Sequence, residues 1–97
     1  MSTTLDDQFF DLAVRVLNYA IEFVNMSGYA SLRLVDVLND LIELSSRIEG
    51  INRGEFYEKV RERMEGRKLL ADAEKRSMFL DELLSLFIEE WRKADQE

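Results

Sequence analysis

A chain of 97 residues, 46% of them hydrophobic, is long enough to form one apolar core, and we expect a single domain spanning residues 1–97. It contains neither cysteine nor histidine, which excludes disulfides, thiolate or imidazole catalysis and the usual zinc ligand sets. The net charge of -7 disfavours contact with phosphate backbones and anionic membranes.

The first predicted helix, at residues 5–27, is apolar around about two-thirds of its circumference. Thr4 followed by Asp7 forms a capping-box pattern at its start. Only a thin polar stripe remains, consisting of Asp7, Asp11, Arg15, Asn18, Glu22 and Asn25. An apolar arc this wide exceeds what one partner helix covers, so it indicates the centre of a helical bundle or a subunit interface.

Three further amphipathic segments follow, which we predict as helices at residues 31–49, 53–65 and 73–94. The residues in position to cap them are Ser31, Asn52 with Glu55, and Asp72. The four glycines fall at the junctions, as expected of the residue that enters the left-handed cap conformation without strain.

The third segment has the narrowest apolar face, made of Phe56, Tyr57, Val60 and Met64. Leu69 and Leu70 fall off that face, which predicts a break between residues 66 and 73. No strand-like alternation competes with the helical patterns. We therefore predict an all-α fold: an up-and-down, four-helix bundle-like domain in which the first helix packs against the second and fourth, with a shorter, peripheral third helix.

Aromatic and aliphatic residues on the first and fourth helices are the leading candidates for an interface, because amphipathic aromatic side chains are favoured interface anchors. The candidates are Phe10, Val14, Ile21, Phe23, Phe87 and Trp91. The alternative is that these residues only pack the core. The leading function is a non-enzymatic module that self-associates, as a homodimer, or binds another protein.

Four carboxylates share one face of the third helix, at Glu55, Glu58, Glu62 and Glu65. Facing carboxylates can hold Mg²⁺, so a magnesium-dependent enzyme acting on a phosphorylated substrate is an alternative function. Here the four acids lie on one helix with basic residues between them, which is typical of a solvated surface. We assign no catalytic, cofactor-binding or metal-binding residue and expect no cofactor.

Seven basic and four acidic residues lie between Lys59 and Arg76. This local excess makes a small helical subunit of a nucleoprotein assembly a third alternative. Nucleic-acid interfaces interleave aromatic residues with a larger basic surface, and this stretch lacks them. We do not expect nucleic-acid binding.

Tyr29 to Asp36, which reads Tyr-Ala-Ser-Leu-Arg-Leu-Val-Asp, resembles the opening of the second helix in an uncharacterised family of helical proteins, of roughly a hundred residues, from bacteria and archaea. That family, classed only as a domain of unknown function, often has Gly-Pro where this chain has Ala30 and Ser31. The resemblance implies an all-helical domain with no assigned activity.

The same stretch allows two interpretations of its polar residues. Arg33 and Asp36 can form a local ion pair while Tyr29 packs at the helix entry. Alternatively, Tyr29, Arg33 and Asp36 line a polar cleft, where the phenol and the guanidinium recognise a carboxylate or phosphate.

No apolar run approaches the roughly 20 residues of a membrane span. The first residues also lack a basic region ahead of an apolar run with a cleavage site. We therefore expect a cytoplasmic protein that does not bind a membrane.

Overall fold

A computed structural model describes residues 4–65 and 72–96, with side chains through residue 93. It contains four α-helices: α1 (Leu5–Phe23), α2 (Gly28–Ser45), α3 (Gly54–Met64) and α4 (Ala73–Gln96). The described residues include no strand. The prediction of an all-α fold is therefore confirmed.

Two predicted helix starts are formed by side-chain caps. At α1, the Thr4 hydroxyl oxygen accepts a hydrogen bond from the Asp7 main-chain N–H at 3.0 Å, and the Asp7 carboxylate accepts one from the Thr4 N–H. Before α4, the Asp72 carboxylate accepts a hydrogen bond from the Lys75 N–H at 2.8 Å. Both caps satisfy main-chain donors that a helix start leaves without an intrahelical acceptor.

The junction between α1 and α2 differs from the prediction. The first helix ends at Phe23 rather than at residue 27, and the second begins at Gly28 rather than at residue 31. Ser27 is the N-cap, because its hydroxyl accepts from the Ala30 N–H at 3.2 Å. Ser31 is fully buried and donates its hydroxyl to the Ala20 carbonyl at 2.9 Å. Ser31, which was predicted to cap α2, therefore forms a hydrogen bond between α2 and α1.

The start of α3 also differs from the prediction. It begins at Gly54, one residue later than predicted, and no side chain of the described residues caps it. The main-chain N–H of Asn52 instead donates to the carboxylate of Asp6, 3.0 Å away on α1. A tertiary contact thus replaces the predicted local cap. The predicted break at 66–73, with Gly66, Leu69 and Leu70, lies mostly outside the described residues.

Two of the glycines have different physical reasons for their positions. Gly50, after α2, has a φ of 94°, a left-handed conformation that suits glycine, as predicted. At Gly28 a Cβ would lie 2.8 Å from a guanidinium nitrogen of Arg76. Glycine at position 28 therefore leaves room for Arg76 where α4 approaches α2, and its φ angle is not the reason for its presence.

α1 contacts α2 and α4, and α3 contacts the same two helices. Ring contacts also join α1 to α3, since the ring centroids of Phe9 and Tyr57 lie 5.5 Å apart. The Ser31–Ala20 hydrogen bond joins the end of α1 to the start of α2, so these two helices form an antiparallel hairpin. Four residues of α3 are buried in the core, namely Phe56, Tyr57, Val60 and Met64. These are the residues that its apolar pattern predicted.

Candidate functional site

Three phenylalanine rings from three helices form an aromatic cluster. The ring centroid of Phe87 lies 4.9 Å from that of Phe56 and 5.5 Å from that of Phe10. Phe10 is 7% exposed and Phe87 is 1% exposed. Such ring pairs stabilise the fold by more than the burial of their apolar surface alone would contribute. Two of the predicted interface residues are therefore core residues whose edges reach the surface.

Arg53 connects the start of α3 to the start of α1. Its Nε lies 3.2 Å from the Asp6 carboxylate, and its Nη2 lies 3.4 Å from the Asp7 carboxylate. The guanidinium carbon lies 4.3 Å from the centroid of the Phe10 ring. The side chains of Arg53 and Asp6 are only 14% and 10% exposed. Partial burial strengthens these interactions. The cluster also fixes one end of a groove that lies between α1 and α4.

An apolar groove of about 670 Å³ lies between the first half of α1 and the second half of α4. Its exposed apolar wall is formed by Trp91, 59% exposed, and Ile88, 38% exposed. Asp7 and Asp11 lie on the α1 side. The groove residues are Asp7, Gln8, Phe10, Asp11, Val14, Arg53, Leu84, Phe87, Ile88 and Trp91. We refer to this surface as the α1–α4 groove.

The α1–α4 groove brings together four of the six predicted interface residues: Phe10, Val14, Phe87 and Trp91. The other two do not line it. Ile21 is partly buried against the core, one to two turns farther along α1. Phe23 lies about 180° around the helix from Val14, so it is on the opposite side of α1.

A second apolar surface lies on the outside of the α1–α2 hairpin. Val14 of α1 faces α4, and Ser46, just after α2, lines a pocket toward α3. The residues on the opposite side of each helix therefore face away from α3 and α4. Four of these, Leu12, Tyr19, Val37 and Leu44, are each 44–47% exposed. We define the outer face as Leu12, Tyr19, Phe23, Val37, Leu41 and Leu44.

Of the residues on the outer face, Phe23 alone is among the six predicted interface residues, although the sequence contains a signal for the whole face. The apolar residues of α1 follow two parallel series at alternating three- and four-residue spacing. The first series, which is buried throughout, is Phe10, Ala13, Leu17, Ala20 and Val24. The second series is Leu5, Phe9, Leu12, Val16, Tyr19 and Phe23, of which Phe9 and Val16 are buried. Two adjacent series indicate two partners for one helix.

Tyr29, Arg33 and Asp36 lie on the exposed surface of α2. Arg33 Nε donates a hydrogen bond to the Tyr29 hydroxyl at 3.0 Å, and the guanidinium carbon lies 5.1 Å from the ring centroid. The hydrogen bond to Tyr29 raises the pKa of Arg33, with a smaller contribution from the charge of Asp36. The three residues line neither the α1–α4 groove nor the pocket between α2 and α3.

The carboxylates on α3 are all exposed, and Glu58 pairs with Arg61. Within the described parts of the chain, no three carboxylates are grouped so that they could hold a metal ion. In the basic stretch, Arg63 lies 3.5 Å from Glu82 of α4. Arg67 and Lys68 of the same stretch lie outside the described residues. Glu58, Arg61, Arg63 and Glu82 thus form ion pairs at the surface.

Tyr57, which the apolar pattern of α3 predicted to lie in the core, is buried together with its polar hydroxyl group. It is 2% exposed, and its hydroxyl has no hydrogen-bond partner among the residues that the structure describes. Burial raises the pKa of the Tyr57 phenol, and the negative charge of Asp6 raises it further. The positive charge of Arg53 opposes this increase. The phenol therefore stays protonated at neutral pH and has no base-like role there.

Along the described residues, none of the helices combines the length and apolar character that a membrane crossing requires. No family model, curated protein or solved structure matches this chain.

Proposed function

We propose that this chain is a protein-binding module, and that its α1–α4 groove binds an amphipathic helix with basic side chains. The observation that carries the proposal is the position of Trp91. Its large indole is more than half exposed beside an apolar groove whose floor includes the buried rings of Phe10 and Phe87. Tryptophan and neighbouring aromatic residues are enriched among the residues that dominate binding energy.

The dimensions of the groove favour a helix as the occupant. Its walls run along α1 from Asp7 to Val14 and along α4 from Leu84 to Trp91. Each stretch is about 10 Å long at 1.5 Å per residue, which corresponds to two turns of a bound helix. A helix that inserts residues i, i+3 or i+4, and i+7 would fill such a groove.

The charges around the groove favour a basic partner. Asp7 and Asp11 lie on the α1 wall, where Asp11 is well exposed and Asp7 is half-exposed. Each already pairs with one arginine of the chain, and a carboxylate can accept further hydrogen bonds. The net charge of -7 adds long-range attraction for a basic partner.

Trp91 provides the test, because it is the single tryptophan of the chain. The probe is a leucine–lysine amphipathic peptide of about 18 residues, long enough to form several helical turns. We expect its binding to shift the Trp91 emission to shorter wavelength as the indole leaves water. The control peptide has glutamate in place of every lysine. Unchanged emission with the lysine peptide, or equal binding of the glutamate peptide, would contradict the proposal.

The arrangement of the four helices, the cellular location and the family of the chain are also proposed here. The up-and-down four-helix bundle with a peripheral third helix is the arrangement we propose for the whole chain. The cytoplasmic location and the family resemblance at Tyr29–Asp36 stay predictions. The magnesium-dependent enzyme and the nucleoprotein subunit have no specific observation in their favour.

A further inference from the structure

We infer that the outer face binds a second copy of this chain, so that two α1–α2 hairpins stack face to face. The inference does not depend on the α1–α4 groove, because Leu12 and Val14 lie about 200° apart on α1 and face opposite sides. Four members of the outer face are nearly half exposed. Exposed apolar patches of a few hundred Å² on a monomer are often functional.

The spacing of the residues on the outer face suits helix–helix packing. On α2, Leu34, Val37, Leu41 and Leu44 alternate three- and four-residue steps. On α1, Leu12, Val16, Tyr19 and Phe23 do the same. This is the heptad spacing with which helices pack knobs into holes. Leu34 and Leu41 of α2 and Val16 of α1 already pack in the core of the same chain, whereas Leu12, Tyr19, Val37 and Leu44 are nearly half exposed. The exposed residues of the two seams are therefore available to a partner helix.

The charges at the edges of the outer face identify the partner as a second copy. On the edge of α1, Arg15 and Glu22 are seven residues apart, and on the edge of α2, Arg33 and Asp40 have the same spacing. When α1 lies antiparallel on α2 of the second copy, Arg15 faces Asp40 and Glu22 faces Arg33. Two-fold symmetry repeats both pairs, so each edge of the dimer gains two pairs of unlike charge.

The area of the outer face is sufficient for such a dimer. Two helices side by side are about 20 Å wide, and the 19 residues of α1 are about 28 Å long. The projected surface is therefore about 550 Å² per copy, or about 1,100 Å² for the pair. A specific interface needs about 1,000 Å². The resulting dimer would leave both α1–α4 grooves open on its two outer sides.

The solution mass of the full chain tests the inference. We expect light scattering to give about twice the 11.4 kDa chain mass, and the double variant Leu12→Lys with Val37→Lys to give the monomer mass. The control Asn18→Lys lies on the exposed polar stripe of α1 and should leave the dimer intact. A monomeric unmodified chain, or a double variant that stays dimeric, overturns the inference. Circular dichroism checks that every variant folds.

A charge exchange tests the alignment of the two copies without touching the apolar residues. Arg15→Glu alone, and Asp40→Arg alone, should each weaken the dimer by roughly tenfold, since each change places like charges at both symmetric edges. The two changes together restore unlike pairs and should recover most of the affinity. No recovery in the double variant contradicts the alignment of α1 on α2 of the second copy.

Discussion

The guanidinium carbon of Arg53 lies 4.3 Å from the centre of the Phe10 ring. The same guanidinium contacts the carboxylates of Asp6 and Asp7. One side chain thus joins the residues before α3 to the charged first turn of α1 and to the aromatic floor of the α1–α4 groove. The shape of the groove at this end therefore depends on a contact between residues 43–47 positions apart in sequence.

Replacing Arg53 by alanine should lower the free energy of unfolding by about 3 kcal/mol, because Asp6 would remain buried without its main partner. Urea denaturation measures the loss. The control is Arg15→Ala, which breaks the exposed Arg15–Asp11 pair at 3.3 Å and should cost less than about 1 kcal/mol. Equal losses in the two variants would show that burial of the Arg53 cluster does not matter.

Replacing Trp91 by alanine should separate binding from folding. The indole is 59% exposed, so we expect a loss of less than about 1 kcal/mol in the free energy of unfolding. Affinity for the leucine–lysine peptide, measured by calorimetry, should fall by at least about tenfold. Met78→Ala is the matched control, because Met78 is 61% exposed on the same helix and lies outside the groove. A similar loss of affinity with Met78→Ala would argue against a groove-specific role of Trp91.

The buried phenol of Tyr57 predicts a loss of stability at high pH. Its pKa is raised in the folded chain, whereas the unfolded phenol ionises near pH 10. Above that pH the unfolded state binds fewer protons than the folded state, so the free energy of unfolding should fall by up to about 1.4 kcal/mol per pH unit.

The variant Tyr57→Phe should lose this part of the pH dependence. It should be at least as stable as the original chain at pH 7, since the removed hydroxyl is buried without a hydrogen-bond partner in the described part of the chain. Denaturation at several pH values between 8 and 11 checks the prediction. Tyr19→Phe, at an exposed position, is the control and should keep the original slope. If the free energy of unfolding falls equally with pH in all three proteins, the loss of stability at high pH does not come from Tyr57.

The two serines at the α1–α2 junction should respond differently to substitution. Ser27→Ala removes the N-cap of α2 and should cost about 1 kcal/mol. Ser31→Leu inserts a large side chain where α1 and α2 approach closely, and should cost about 3 kcal/mol. Thermal denaturation compares them. If Ser31→Leu were harmless, the close contact of Ser31 with Ala20 would be wrong.

Local features of the fold were predictable from the sequence, because they depend on residues within one helical turn. The cap at Thr4, the cap at Asp72 and the buried face of α3 are of this kind. The exact junction at residues 24–30 was not, since Ser27 and Ser31 are equally good caps in sequence. Burial of Ser31 against Ala20 decides between them, and that is a tertiary contact.

The candidate site was predictable only in part. Phe10, Val14, Phe87 and Trp91 were predictable as interface candidates, with core packing as the alternative, and the structure places them around one groove. The sequence did not predict the Arg53 cluster, because pairing with Asp6 depends on how α3 lies against α1. Phe23 was assigned to the same surface as Val14, although helix geometry alone puts them on opposite sides.

The most direct test of groove binding is a titration of the ¹⁵N-labelled chain with the leucine–lysine peptide, followed by amide chemical shifts. The proposal predicts that the largest changes map to two stretches, Asp7–Val14 and Leu84–Trp91, with little change at Val37 or Leu44 on the outer face. Changes centred on the outer face, or no changes at a peptide excess, would contradict the proposal that the α1–α4 groove is the binding site.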